Sequence, residues 1–134
     1  MPEVVCDTSP LQYLHQLGLR HILPALAGRA LIPPAVAREI EEGVSSGIDL
    51  PDLRALEWLK IRVPAADPLL PFEHDLGPGE TEALMLAGEI ADVVVVLDDG
   101  LARRVADHRK IRVIGTLGLL LNAKRAGLVA SQAG

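Results

Sequence analysis

The stretch "VVVVLDD", residues 93–99, decides the fold of this chain. A run that is apolar at every position is typical of a strand covered on both faces, as in the middle of a parallel sheet. Four other short apolar runs also predict strands. The five predicted strands are Val4–Cys6, Ala30–Ile32, Leu59–Val63, Val93–Leu97 and Arg112–Ile114. They alternate with segments of helical periodicity, which indicates βαβ units in one α/β domain that has a parallel sheet covered on both faces.

The helices are expected at residues 10–27, 34–46, 51–57, 79–90, 100–108 and 116–126. Residues 64–79 hold four prolines and show no clear periodicity, so this segment is expected to be a loop. No repeat or linker divides the chain, and its 134 residues suit a single domain over 1–134.

Composition excludes several classes of protein. The lone cysteine, Cys6, excludes an internal disulfide and a multi-cysteine zinc site, and it suits a reducing cytoplasm. No apolar run is long enough to cross a bilayer, and the N-terminus shows no signal-peptide pattern, so no membrane partner is expected. Only three residues are aromatic, so Leu, Val, Ile and Ala must fill the core.

Charge is distributed unevenly along the chain. Residues 1–100 carry 6 Lys and Arg against 17 Asp and Glu, whereas residues 101–134 carry 7 against 1. An acidic majority beside a basic C-terminal third suits a metal pocket next to a rim that binds a polyanion. Helix surfaces that merely differ in charge would give the same pattern.

Carboxylates follow two of the predicted strands. Asp7 comes directly after the first strand, and Asp98 and Asp99 come directly after "VVVVL". Ligands of open parallel sheets bind outside the carboxyl ends of the strands, so these three side chains should meet if the two strands are neighbours. The alternative is helix N-capping, because both sites also precede helices.

Three glutamates are candidates to join them. Glu80 and Glu82 fall in the first turn of the helix in "LGPGETEALMLA", where acids also complement the helix dipole. Glu39 lies near the apolar face of the helix in "IPPAVAREI". Clustered carboxylates without histidine or cysteine favour a hard cation such as Mg²⁺ or Mn²⁺.

The chain resembles the PIN-domain family of metal-dependent ribonucleases, in particular its small prokaryotic branch related to toxins of toxin–antitoxin pairs. Five stretches carry the resemblance in family order: "VVCDTSPL", "IPPAVAREI", "LGPGETEALMLA", "VVVVLDDGLARRVA" and "VIGTLGLLLNAKRAGLV". The resemblance implies a Rossmann-like α/β/α sandwich with an acidic pocket for one or two Mg²⁺ or Mn²⁺ ions.

The resemblance also assigns residues. Asp7 and Glu39 match the first two family acids. The third falls on Glu80 or Glu82, with Glu80 preferred because it lies nearest the turn, and the fourth on Asp98 or its competitor Asp99. Thr8, Ser9 and Thr116 match polar positions around the pocket. The basic residues that are candidates for RNA-phosphate contacts are Arg103, Arg104, Lys110, Arg112, Lys124 and Arg125.

By this resemblance the protein is a Mg/Mn-dependent endoribonuclease with an RNA substrate, and the toxin of a pair would have a small antitoxin protein as partner. A homodimer is expected from the leucine-rich C-terminal helix and from the pairing common among PIN-like relatives. The alternative is a catalytically silent PIN-like module that binds nucleic acid or protein. A response regulator would need a basic residue after the last strand, where only Thr116 is available.

Overall fold

The protein is described by a computed structural model that covers residues 2–65 and 76–129. Five strands form one parallel sheet in the order β3-β2-β1-β4-β5. The strands are β1 (Glu3–Cys6), β2 (Ala30–Ile32), β3 (Leu59–Ile61), β4 (Val93–Val96) and β5 (Arg112–Ile114). The predicted α/β fold is confirmed, and β3 and β4 end slightly earlier than predicted.

Within residues 2–65 and 76–129, six α-helices connect and cover the strands. They are α1 (Thr8–Gln16), α2 (Ile22–Ala27), α3 (Pro34–Ser45), α4 (Pro78–Gly88), α5 (Gly100–His108) and α6 (Thr116–Arg125). The single helix predicted over residues 10–27 is wrong, because the chain breaks into α1 and α2. Gly18, with φ of 72°, adopts a left-handed conformation that an α-helix cannot continue through.

Two other predicted elements differ from the structure. The helix predicted at residues 51–57 is only a 3₁₀ turn, Leu53–Ala55, which the Asp52 carboxylate starts by accepting a hydrogen bond from the Arg54 amide. None of its three residues is buried, although Leu53 packs against the core. The loop predicted at residues 64–79 lies largely outside the described residues, and its end, Pro78 and Gly79, begins α4.

The sheet separates two apolar layers. Helices α1, α2, α3 and α6 contribute to the core on one face, whereas α4 and α5 contribute to the core on the other. Strand β4 supplies both layers, because Val94 and Val96 point to the first and Val93 and Val95 to the second. This is the three-layer arrangement that the apolar run predicted.

The pairing of β1 with β4 positions the site. Cys6 is opposite Val96, and the Asp7 amide donates to the Val96 carbonyl oxygen over 3.0 Å. Asp7 and the Asp98–Asp99 pair therefore leave neighbouring strands at the same carboxyl edge, which is called the acid edge below. Within the described part of the chain, no helix is both long and apolar enough to cross a membrane.

Candidate active site

Asp7 is a buried carboxylate that does not cap a helix. Its relative exposure is 5%, and its side chain makes no capping hydrogen bond although it occupies the N-cap position of α1. Burial is the main cause that raises the pKa of Asp7 to about 7, and the charges of Glu80, Glu39 and Asp99 raise it further. A hydrogen bond from the Thr8 backbone acts in the opposite direction and lowers this pKa. Capping of α1 therefore does not by itself explain why Asp7 is buried.

Glu39 is fixed by two donors. Its Oε2 accepts a hydrogen bond from the Thr8 hydroxyl at 2.5 Å, and its Oε1 accepts one from the Gly79 amide at 3.1 Å. A Cβ atom at position 79 would lie 2.8 Å from Glu39 Oε1. The absence of a side chain at Gly79 thus lets the start of α4 approach the Glu39 carboxylate. Helix α3 in this way delivers Glu39 to the acid edge.

Glu80 and Glu82 have different surroundings. The pKa of Glu80 is raised by burial first, then by the charge of Asp99, with smaller contributions from Glu39 and from a side-chain hydrogen bond with Asp99. Glu82 instead accepts a hydrogen bond from the Ala35 amide at 3.0 Å, in the first turn of α3. Glu80 therefore belongs to the acid edge, whereas Glu82 caps a neighbouring helix.

Asp98 and Asp99 also have different surroundings. Both Asp98 oxygens bind Thr116, one through the backbone amide at 2.8 Å and the other through the hydroxyl at 2.5 Å, at the start of α6. Asp99 accepts a hydrogen bond from the Ala102 amide at 2.9 Å and so caps its own helix, α5. Its charge also raises the pKa values of both Asp7 and Glu80. Asp99 is thus the member of the pair that acts on the other acids.

The three predicted hydroxyl residues also differ in whether they contact a carboxylate of the site. Thr8 and Thr116 hold site carboxylates through the hydrogen bonds to Glu39 and Asp98. Ser9 is half-buried in the first turn of α1, and no hydrogen bond of its side chain is found among residues 2–65 and 76–129. Two of the three predicted polar positions therefore contact a predicted acid.

The acid edge suits a hard divalent cation in its chemistry, although its side chains do not enclose one. Across the two described ranges, no three Asp, Glu, His or Cys side chains lie close enough together to hold a metal ion. The donors at the edge are all carboxylate oxygens, which Mg²⁺ and Mn²⁺ prefer. The pKa values of Asp7 and Glu80 are raised first by burial and then by the neighbouring carboxylates, and a bound cation would favour their ionised forms.

The basic residues are not gathered at the acid edge. Arg103 is close to it, as the surroundings of Gly115 show. A Cβ atom added at Gly115 would lie 2.7 Å from Arg103 Nη1 and 3.0 Å from Asp98 Oδ1. Arg103, Arg104, Lys110 and Arg112 line a surface cavity of about 670 Å³ along α5 and β5. Arg112 pairs with Asp92 at 2.6 Å where β5 begins, and Lys124 and Arg125 lie in the last turn of α6. These last three therefore lie away from the acid edge.

Sequence reasoning missed how the site is supported. The Gly79 amide and the Ala35 amide each bind a glutamate from the facing helix, and no motif in the sequence announces these two contacts. The "GPG" turn before α4 was a usable signal, because a glycine in the first helical turn often marks a close approach. The surface beside Asp98, formed by α1 and α6, was also missed.

With the fold and the acids in place, the comparisons with known proteins identify the family. A family model described as "DUF3368: PIN domain" matches residues 3–134, and the chain belongs to this PIN-domain family. The resemblance predicted from the five sequence stretches is therefore confirmed. PIN domains are generally nucleases and generally use divalent metal ions.

One solved structure supports the fold. It is a PilT N-terminus domain protein, SSO1118, from the hyperthermophilic archaeon Sulfolobus solfataricus P2, with 21% sequence identity and a TM-score of 0.63. The match covers 98% of this chain and 97% of that one, so the whole domain shares this architecture. A search of curated proteins found no match.

Proposed function

We propose that this protein is a metal-dependent endoribonuclease that hydrolyses phosphodiester bonds at the acid edge. The observation that carries the proposal is Asp7. It is buried where β1 ends, and it is surrounded by the charges of Glu39, Glu80 and Asp99. Burying a carboxylate among others costs free energy, so a fold that keeps this arrangement is explained by a function for the charge.

We assign the cation to Asp7, Glu80 and Asp99, whose side chains would have to move together to hold it, since no three acids of the described residues are close enough as they stand. Bound there, Mg²⁺ or Mn²⁺ would polarise a phosphoryl oxygen and lower the pKa of a coordinated water. Glu39 has a different role, because Thr8 and the Gly79 amide already occupy its two oxygens and fix its position. Its negative charge faces Asp7 and contributes to the attraction of the cation.

Substrate binding is assigned to the basic residues of the C-terminal third. Arg103 is the candidate for contacting a phosphate next to the acid edge, and its proximity to Asp98 supports this role. The cavity lined by Arg103, Arg104 and Lys110 offers further positive charge to the continuing strand. Contacts of this kind hold a strand without reading its sequence.

The test is a melting curve of the wild-type protein with and without Mn²⁺, alongside cleavage of an unstructured RNA and of a DNA of the same sequence. We expect Mn²⁺ to raise the melting temperature and to be required for cleavage, with RNA cut in preference to DNA. Asp7→Asn should lose both responses. Glu41→Gln is the matched control, because Glu41 is an exposed acid on the same helix as Glu39.

The second candidate is a silent module that binds nucleic acid or protein without cutting. It is favoured by the hydrogen bonds that engage Glu39, Asp98 and Asp99, and by the lack of three acids close enough to hold an ion across the described ranges. A wild-type protein that gains no stability from Mn²⁺ and leaves RNA intact would refute the nuclease, and binding of that intact RNA would establish a silent nucleic-acid-binding module.

A toxin role, an antitoxin partner, a cytoplasmic location and a homodimer stay predictions. For the toxin role, expression should arrest growth, and Asp7→Asn should relieve the arrest. For the homodimer, Leu117 and Leu121 on α6 are exposed, whereas Leu120 and Leu128 pack against the core. Of these four leucines, Leu117 and Leu121 therefore offer apolar surface to a second copy. Sedimentation of the wild-type protein tests whether it forms a dimer.

A further inference from the structure

A second cleft opens beside the acid edge, between α1 and α6. Its volume is about 450 Å³, and its walls are mainly Tyr13, Leu17, Leu117 and Leu120. Asp98 and Thr116 line the same cleft, so it is continuous with the edge where the acids lie. Tyr13 is 47% exposed, Leu17 59% and Leu117 71%, which makes this an open apolar surface.

The cleft combines features that suit one kind of occupant. An aromatic ring with open apolar neighbours can stack on a flat apolar group, and the volume falls within the range of small-ligand pockets. Tyr13 lies six residues after Asp7 and is thus about 9 Å further along the axis of α1. A group bound against the ring would therefore be near, but not at, the position of the reacting phosphate.

We propose that this cleft binds an unpaired nucleobase of the strand whose phosphate lies at the acid edge, with the Tyr13 ring as its stacking surface. The inference rests on the proposed nuclease function and adds to it a binding site for one base of the substrate strand. A duplex keeps its bases stacked inside the helix and cannot place one against Tyr13. Stacking of this kind tolerates any base, so it selects for strandedness and not for sequence.

The experiment measures binding directly, so it does not depend on cleavage. The probe is a fluorescent oligouridine of about ten nucleotides, a length suited to single-strand sites, and its anisotropy is recorded in EDTA at low ionic strength. A second set of probes carries one abasic ribose at each position in turn. The variants are Tyr13→Ala and Tyr13→Phe, and the control is Val44→Ala, because Val44 is equally exposed (47%) on α3 and is not a lining residue of the cleft.

We expect Tyr13→Ala to raise the Kd about 5- to 150-fold, the range known for loss of one stacked base. Tyr13→Phe keeps the ring and should bind like wild type, as should Val44→Ala. One abasic position should weaken the wild-type complex by a similar factor and should not weaken the Tyr13→Ala complex further. The wild-type protein should bind the matching duplex more weakly than the single strand.

Three results would overturn the inference in different ways. Wild-type binding that is unchanged in Tyr13→Ala would refute the base site while leaving the nuclease proposal standing. Unchanged binding together with a shift from dimer to monomer on sedimentation of Tyr13→Ala would show that a second copy covers the cleft. A wild-type protein that neither binds nor cuts any RNA would remove the proposed function and this inference together. Tyr13 is exposed, so its replacement is expected to leave the fold intact, which a melting curve checks.

Discussion

Replacing Asp7 by asparagine should stabilise the metal-free protein, and the gain should grow with pH. The pKa of Asp7 is raised from 3.8 to about 7 in the folded protein, mainly because the carboxylate is buried. Each pKa unit corresponds to about 1.4 kcal/mol, so the ionised form of Asp7 costs roughly 4 kcal/mol of folding free energy. Asparagine has nearly the same shape and carries no charge, so it does not pay this cost.

The pH dependence follows from which state binds the proton. Below pH 3.8 the carboxyl is protonated in both the folded and the unfolded chain, so it has no effect on stability. Between pH 3.8 and about 7 the unfolded chain releases the proton while the folded chain keeps it, so the stability of the wild type falls as pH rises. The advantage of Asp7→Asn should therefore be about 2–3 kcal/mol larger at pH 8 than at pH 5.

The assay is urea unfolding in EDTA, followed by the fluorescence of Trp58, the only tryptophan in the chain. The comparison between two pH values removes any fixed difference between the aspartic acid and asparagine side chains. Glu41→Gln is the control and should show the wild-type dependence on pH. An advantage of Asp7→Asn that is the same at pH 5 and pH 8 would refute the reasoning. In that case the burial of Asp7 would not oppose its charge.

Two further predictions concern Glu80 and Glu82 on α4 and Thr116 on α6. Glu82→Ala removes the acceptor of the Ala35 amide and should cost about 1 kcal/mol in urea unfolding while leaving the Mn²⁺ response intact. Glu80→Ala should instead lose the Mn²⁺ response and leave the free energy of unfolding unchanged. Equal loss of the Mn²⁺ response in both variants would contradict the assignment. Thr116→Val removes the hydroxyl donor to Asp98 and should lower the free energy of unfolding by about 1–2 kcal/mol, with RNA cleavage retained. Abolished cleavage in a folded Thr116→Val protein would show that Asp98 itself acts in the reaction.

The strands could be predicted from the sequence because their signal is local. A run such as Val93–Val96 is typical of a strand with both faces covered, and in the structure these residues form the buried strand β4. The break between α1 and α2 was missed because leucines on both sides continue a helical pattern through Gly18, and periodicity does not report a backbone angle. The overall fold was thus within reach, whereas a helix end that depends on one dihedral angle was not.

The acids of the proposed site could be named from the sequence, but the contacts of each one could not be predicted. Glu80 and Glu82 stand two residues apart, which places them about 200° apart around the axis of α4. Which of the two faces the acid edge therefore depends on how α4 packs in the fold. Asp98 and Asp99 are adjacent, and what separates them is Thr116, which lies 18 residues further along the chain and binds only the first. Choices of this kind depend on tertiary contacts, for which a single sequence carries no local signal.

The contacts between α3 and α4 have a consequence for how relatives are interpreted. Glu39 of α3 binds the amide of Gly79 in the first turn of α4, and Glu82 of α4 binds the amide of Ala35 in the first turn of α3. Each helix therefore receives a capping acceptor from an acid of the other, whether or not the protein cuts anything. A descendant that had lost catalysis would still be selected to keep both glutamates. Asp7 is different, because it weakens the fold when ionised, and under the proposed function its replacement by a neutral residue in a relative would mark the loss of the proposed activity.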